Sequence, residues 1–175
     1  MADAYKVKVF VEYIPLDAEF EFEKGEKIVI IGENGSGKTS LAEAIAGIHS
    51  WVKFEPEKLK CSNFALLPQF PEYNPNLSVY ETFELFSSKM PASLKDLGIF
   101  PEKKLKFLSG GQTKLVLLFT ILNSPKEFVI LDEPFVNLDY SKRLFAMQSI
   151  LSSKKTIFII SHFPETAQLA DRLIL

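Results

Sequence analysis

Gly32-Glu33-Asn34-Gly35-Ser36-Gly37-Lys38-Thr39 is the stretch whose reading decides the fold. It satisfies G-x-x-x-x-G-K-[ST], follows the apolar run Ile28-Val29-Ile30-Ile31 and precedes an amphipathic helical pattern. Glycines at 32, 35 and 37 allow backbone conformations and close approach that a side chain would forbid. The loop N–H groups then point inward and form an anion nest. The following helix adds the positive end of its dipole at the same place. Lys38 reaches the outer phosphates as a point charge, and the Thr39 hydroxyl can ligate Mg2+. A chance glycine-rich turn would not sit between a strand and a helix in this way. The stretch therefore reads as a nucleotide site.

Upstream, Val7, Val9, Val11 and Tyr13 alternate with Lys6, Lys8, Phe10 and Glu12, which is strand periodicity. Phe20 and Phe22 alternate with Glu19, Glu21 and Glu23. With Pro15-Leu16-Asp17 between them, the two runs predict an antiparallel hairpin. Downstream, Leu41, Ala44, Ile45 and Ile48 form one helical stripe, with Gly47 near its end. Trp51 to Cys61 shows no clean period, and His49 reads as a surface residue. Phe64-Ala65-Leu66-Leu67 reads as a buried strand entering a loop at Pro68-Gln69. Val79, Phe83, Phe86 and Met90 then predict a helix with an aromatic face, serving either as core or as a contact surface.

Leu108-Ser109-Gly110-Gly111-Gln112 opens a helix that is apolar almost all round, Leu115 to Leu122, as a buried helix is. A serine and bare N–H groups at a helix start form a second anion site. Phe128-Val129-Ile130-Leu131 closes on Asp132-Glu133, and Thr156 to Ile160 closes on Ser161-His162. Such continuous apolar runs suit strands covered on both faces, hence a parallel sheet. Leu144, Met147 and Leu151 give the intervening helix a face. Pro164 to Ala170 reads as a short helix with proline in its first turn, and Arg172 to Leu175 as a last strand. The carboxyl ends of such strands form a ligand crevice, where the phosphate loop, Gln69, Asp132-Glu133 and His162 would converge. Asp132 reads as a Mg2+ carboxylate acting through water, and Glu133 as a group that orients or deprotonates the attacking water. Two acids at a buried strand end are costly without a cation; the alternative is a pair of solvated acids in a turn.

The totals set bounds. The chain has 175 residues, 47% of them apolar, enough for one domain with a real core and against disorder. Sixteen phenylalanines read mostly as core filling. A net charge of -2 supplies no basic field for nucleic acid. Cys61 is the single cysteine, which fits a reducing compartment. Met1 to Lys6 lacks the apolar run of a signal peptide. No apolar stretch approaches the ~18–20 residues of a membrane span.

Two phosphate-binding loops in one chain ask for an explanation. The set Gly32–Thr39, Gln69, Leu108–Gln112, Phe128–Glu133, Asn137-Leu138-Asp139 and His162 resembles the nucleotide-binding domain of ATP-binding cassette (ABC) proteins, in order and over residues 7 to 175. In that family two domains sandwich two ATP molecules, each lying between one phosphate loop and the partner's signature sequence. The resemblance implies an α/β P-loop NTPase fold. Its parts are a mainly parallel central sheet flanked by helices, an N-terminal antiparallel β hairpin subdomain and a short helical subdomain. It implies one ABC ATPase domain over 1–175, with the helical subdomain at about 72–107.

The resemblance also implies roles. Asn34, Gly35, Ser36, Gly37, Lys38, Thr39 and Ser40 would bind ATP, and Tyr13 would stack on adenine, with Phe10 as its rival. Thr39, Gln69 and Asp132 would serve Mg2+. Glu133 would be the catalytic carboxylate, with Gln69 and His162 as its companions. Ser109, Gly110, Gly111 and Gln112 would meet the partner's ATP, and Asp139 would cross the dimer interface. Leu115 and Thr120 stand where the family usually carries arginines. The implied protein is an ATPase subunit of an ABC transporter. It would form a homodimer or heterodimer with a second such domain, on the cytoplasmic face of a membrane, against a separate transmembrane subunit. No nucleic acid is expected. The alternatives are a soluble family ATPase acting in DNA repair, chromosome maintenance or translation, and a non-hydrolysing ATP-gated clamp.

Overall fold

The computed structural model describes residues 4–11, 16–33, 35–48, 52–55 and 59–175. Tyr13, Asn34, His49 and Trp51 lie outside the described residues, and so does the side chain of Phe10. The chain divides into two compact units. One takes residues 1–69, 126–134 and 151–175; the other takes 70–125 and 135–150.

Among the described residues, the first unit carries every strand. In chain order these are β1 Ala4–Val11, β2 Leu16–Glu23, β3 Lys27–Ile31, β4 Val52–Glu55, β5 Phe64–Leu67, β6 Phe128–Asp132, β7 Thr156–Ser161 and β8 Arg172–Ile174. Helix α1, Lys38–Ile45, follows β3. β1 and β2 pair as an antiparallel hairpin, Val7 opposite Phe20. β4 joins the other side of β1, Val7 opposite Phe54. The sequence pattern gives no hint of β4: it has four residues and buries only Phe54, too little for alternation to show.

The remaining strands form an all-parallel sheet in the order β5-β6-β7-β3-β8. β6 and β7 are buried at every position, as the continuous apolar runs predict. Register puts Ile28 beside Phe158 and Phe158 beside Ile130, so one face of the sheet carries a continuous apolar row. That face packs with α1 and the antiparallel sheet. Phe20, Phe22, Phe54, Phe64, Phe128 and Phe158 meet here. Tyr5 stacks on Phe22 at 5.3 Å, Phe22 meets Phe158 edge-on at 5.0 Å, and Phe64 lies 5.0 Å from Phe128. Such pairs add about 0.5–1.5 kcal/mol each beyond their buried area, so an aromatic seam joins the two sheets.

The second unit contains α2 Val79–Leu85, α3 Gly110–Leu122 and most of α4 Tyr140–Ser152. It thus takes in the stretch 72–107 together with α3. Main-chain bonds from Val79 N to Lys103 O and from Leu105 N to Leu77 O tie the approach to α2 to the approach to α3. α3 is buried over all of Thr113–Leu122. The Thr120 hydroxyl donates to the Val116 carbonyl at 2.8 Å, so its polar group is satisfied inside the helix.

Three local expectations are corrected. Ile48 is not on the α1 stripe: the helix ends at Ile45, Ala42 takes the fourth buried place, and Ile48 is exposed. The aromatic helix stops at Leu85. Ser87 takes φ +50, and the Ser88 N–H donates back to the Phe83 carbonyl, a left-handed helix ending. Val79 and Phe83 are therefore core, while Phe86 is exposed and Met90 lies beyond the helix. α4 buries Ala146 and Ile150, whereas Leu144 and Leu151 face outward. Pro164–Leu169 is a 3-10 helix, with the proline in its first turn.

At the end of the sheet away from the phosphate loop, Lys27 is buried. Its ammonium donates to the carbonyls of Gly25, Ser153 and Lys155 at 2.9–3.0 Å. Burial pulls its pKa below the ordinary value, with Asp171 opposing the shift. Lys27→Met keeps the stem and leaves three carbonyls without that donor. It is expected to cost about 1–3 kcal/mol, read as an earlier urea midpoint with unchanged slope; a loss under about 0.5 kcal/mol would contradict this account of the clamp.

Candidate functional site

The phosphate loop folds as its sequence requires. Gly35 and Gly37 take φ +84 and +89, and Gly37 is the N-cap of α1 with no side-chain cap. The first N–H groups of α1 are thus the unpaired donors of a helix start. Lys38 lies back over its own loop. Its Nζ donates to the carbonyls of Gly32 at 2.8 Å and Glu33 at 2.6 Å, and reaches the Ser36 hydroxyl at 3.4 Å.

β6 and β7 deliver the acid and the histidine. Glu133 follows β6 in the left-handed region, φ +47, and is buried. A non-glycine residue there costs on the order of 1–3 kcal/mol and persists only where its surroundings over-determine it. Here three hydrogen bonds do so. Glu133 N donates to Ile160 O at 2.9 Å, one step past the end of the β6–β7 ladder. Glu133 Oε1 accepts the His162 N–H at 3.0 Å and lies 2.6 Å from His162 Nδ1. Asp132, one residue earlier, is buried as well.

These groups share one cleft of about 400 Å3 in the first unit, lined by Gly35, Gly37 and Lys38–Ser40 from the loop and by Gln69, Asp132, Glu133 and His162 from neighbouring strand ends. Five of the strand-end and loop residues named from sequence for catalysis and metal binding, Thr39, Gln69, Asp132, Glu133 and His162, thus line a single space. Thr39, Gln69 and Asp132 supply oxygen donors, the type Mg2+ prefers. No cluster of three His, Cys, Asp or Glu able to hold a metal forms among the described residues. The buried Oε2 of Glu133 has no hydrogen-bond partner among the described residues.

The signature stretch lies in the second unit. Ser109 caps α3: its Oγ accepts the Gln112 N–H at 3.2 Å, and Gln112 Oε1 accepts the Ser109 N–H at 3.1 Å. Gln112 Nε2 also donates to Leu97 O at 3.0 Å. Both ends of its side chain are thus engaged within the unit, so Gln112 braces the helix start. Asp139 precedes α4 and accepts the Lys142 N–H at 2.9 Å. The Lys142 hydrogen bond holds the exposed Asp139 carboxyl below its ordinary range.

Sequence reading assigns no role to Ser161 or Thr166. Ser161 is fully buried at the end of β7; its Oγ accepts the Phe163 N–H at 3.1 Å and the Thr166 hydroxyl at 3.0 Å. These bonds fix the turn that carries His162. The available signal was a hydroxyl directly before the histidine at a strand end.

Fold and cleft together define a P-loop nucleotide-binding domain. The family model for ABC transporter matches residues 16–136, and the chain belongs to that family. Among curated proteins it resembles the molybdate/tungstate import ATP-binding protein WtpC of Thermococcus kodakarensis, 32% identical over 95% of this chain and 58% of that one. It also resembles a translation initiation factor of Chaetomium thermophilum, 30% identical over 87% of this chain and 27% of that one. The chain thus spans little more than half the length of the first relative. A solved ATP binding subunit of an ABC transporter shares the fold, with a TM-score of 0.80, 20% identity and coverage of 98% and 85%.

Ser161→Ala removes an acceptor from the Phe163 N–H and a partner from the buried Thr166 hydroxyl. The expected cost is about 1–3 kcal/mol in chemical denaturation, together with faster amide exchange at His162 and Phe163. Unchanged exchange there would separate Ser161 from the histidine's placement.

Proposed function

We propose that the chain is the ATP-binding and ATP-hydrolysing domain of an ABC transporter, acting as a dimer against a separate membrane subunit. The single observation that carries the reading is the convergence of phosphate loop, Gln69, Asp132, Glu133 and His162 on one cleft. The import relative supports the transport assignment by its name. No helix among the described residues is long and apolar enough to cross a membrane. In this reading the motion passes to the separate membrane subunit, with the domain at the cytoplasmic membrane face.

In this reading the loop N–H groups of residues 34–37 and the start of α1 hold the β- and γ-phosphates, and Lys38 turns from its carbonyls onto them. Thr39, Gln69 and Asp132 would hold Mg2+, which would supply positive charge to the phosphates. Glu133 orients the attacking water and accepts its proton. His162, bonded to Glu133 through both its N–H and Nδ1, fixes the carboxylate and faces the γ-phosphate. Ser109, Gly110 and Gly111 present the start of α3 to the partner's nucleotide, braced by Gln112. Asp139 lies at the same interface.

Glu133→Gln keeps the size of the side chain and removes the base. ATP turnover is expected to fall by about 100-fold or more, while ATP affinity stays within about threefold. Phosphate release and fluorescent-nucleotide titration read the two quantities separately. Retention of full turnover would remove Glu133 from the catalytic role.

A further inference from the structure

Lys142 occupies a place that helix electrostatics alone does not favour. It lies in the first turn of α4, where the helix dipole disfavours a cation. Its side chain is nonetheless only 21% exposed. The neighbours supply the reason. A Cβ on Gly111 would come within 3.1 Å of the Asn137 carbonyl and 3.5 Å of Lys142 Cδ, so the aliphatic stem of Lys142 lies along the start of α3. The Lys142 N–H and ammonium meet the two carboxylate oxygens of Asp139. Between them, Asn137 holds φ +65 and Leu138 is buried. One lysine therefore touches both the signature helix and the loop that carries Asp139. An ordinary exposed ion pair would need no such packing and is worth little.

We propose that Lys142 is a positioning residue: by packing on Gly111 and holding Asp139, it makes the start of α3 and the 137–139 loop one rigid edge. The assignment rests on the proposed function, in which a second copy meets the bound nucleotide with this edge. An edge ordered in advance loses less freedom when the dimer closes. Charge and stem both matter, so arginine replaces lysine, methionine keeps the packing alone, and alanine keeps neither.

The test compares Lys142→Ala, Lys142→Met and Lys142→Arg in the full chain. Lys142→Ala is expected to lower kcat for ATP about tenfold while monomer ATP affinity and Tm stay near those of the parent. Lys142→Met falls between, and Lys142→Arg recovers to within about twofold. A merely structural lysine would move Tm and leave kcat per folded molecule unchanged, which overturns the proposal. Hydrogen exchange on the nucleotide-free chain is the second arm. Lys142→Ala should speed amides 110–113 together with 137–142; faster exchange confined to 137–142 also overturns it. If the parent chain does not hydrolyse ATP, the proposed function falls, and the exchange arm still decides Lys142 by the same two outcomes.

Discussion

The parallel pairing of β3, β7 and β6 is the constraint on which the rest depends. Because the three strands run in one direction and in register, their carboxyl ends open at one level. The phosphate loop leaves β3, His162 leaves β7 and Glu133 leaves β6. The ladder extends one residue beyond β6 through Glu133 N to Ile160 O. That bond, with the two from His162 to the carboxylate, holds Glu133 in a backbone region that a glutamate does not choose. Strain at the site is thus supported by strands that are buried at every position. An apolar row through Ile28, Phe158 and Ile130, sealed by the aromatic seam to the antiparallel sheet, keeps the strands from sliding.

The second unit answers to a different constraint. Its working edge is a helix start, and a helix start has donors to spare. Ser109 and Gln112 satisfy one pair and tie the turn to Leu97, which leaves the turn at Gly110 and Gly111 stiff and bare. A Cβ on Gly111 would come within 3.1 Å of the Asn137 carbonyl, so a side chain there would need that carbonyl to shift. The two anion-seeking loops of the chain are therefore built on different principles. One is a glycine loop with its own lysine laid over it; the other is a capped helix braced from both sides. In the proposed dimer each would face the other across a nucleotide.

Much of this was legible in the sequence, for identifiable reasons. Doubly covered strands show as unbroken apolar runs, so β3, β6 and β7 and the residues that end them could be read directly. The phosphate loop is fixed by glycine spacing, and the hairpin by alternation. Long-range pairings of single residues left no such trace. β4 is too short and too half-buried for a pattern, and α2 ends on a serine where glycine is the usual signal. The buried face of α4 is Ala146 and Ile150, while its larger Leu144 and Leu151 face outward. Ser161, Thr166 and Lys142 act through partners set by the fold, and no local spacing marks them.

The most direct test of the central claim is calorimetric titration of the chain with Mg2+ and ATP, beside adenosine and beside the Lys38→Ala chain. Recognition through the triphosphate predicts that ATP binds, that adenosine binds at least about 100-fold more weakly, and that Lys38→Ala loses at least about tenfold in ATP affinity. Equal affinity for ATP and adenosine, or for ATP with and without the Lys38 ammonium, would contradict a site organised around Gly32–Thr39.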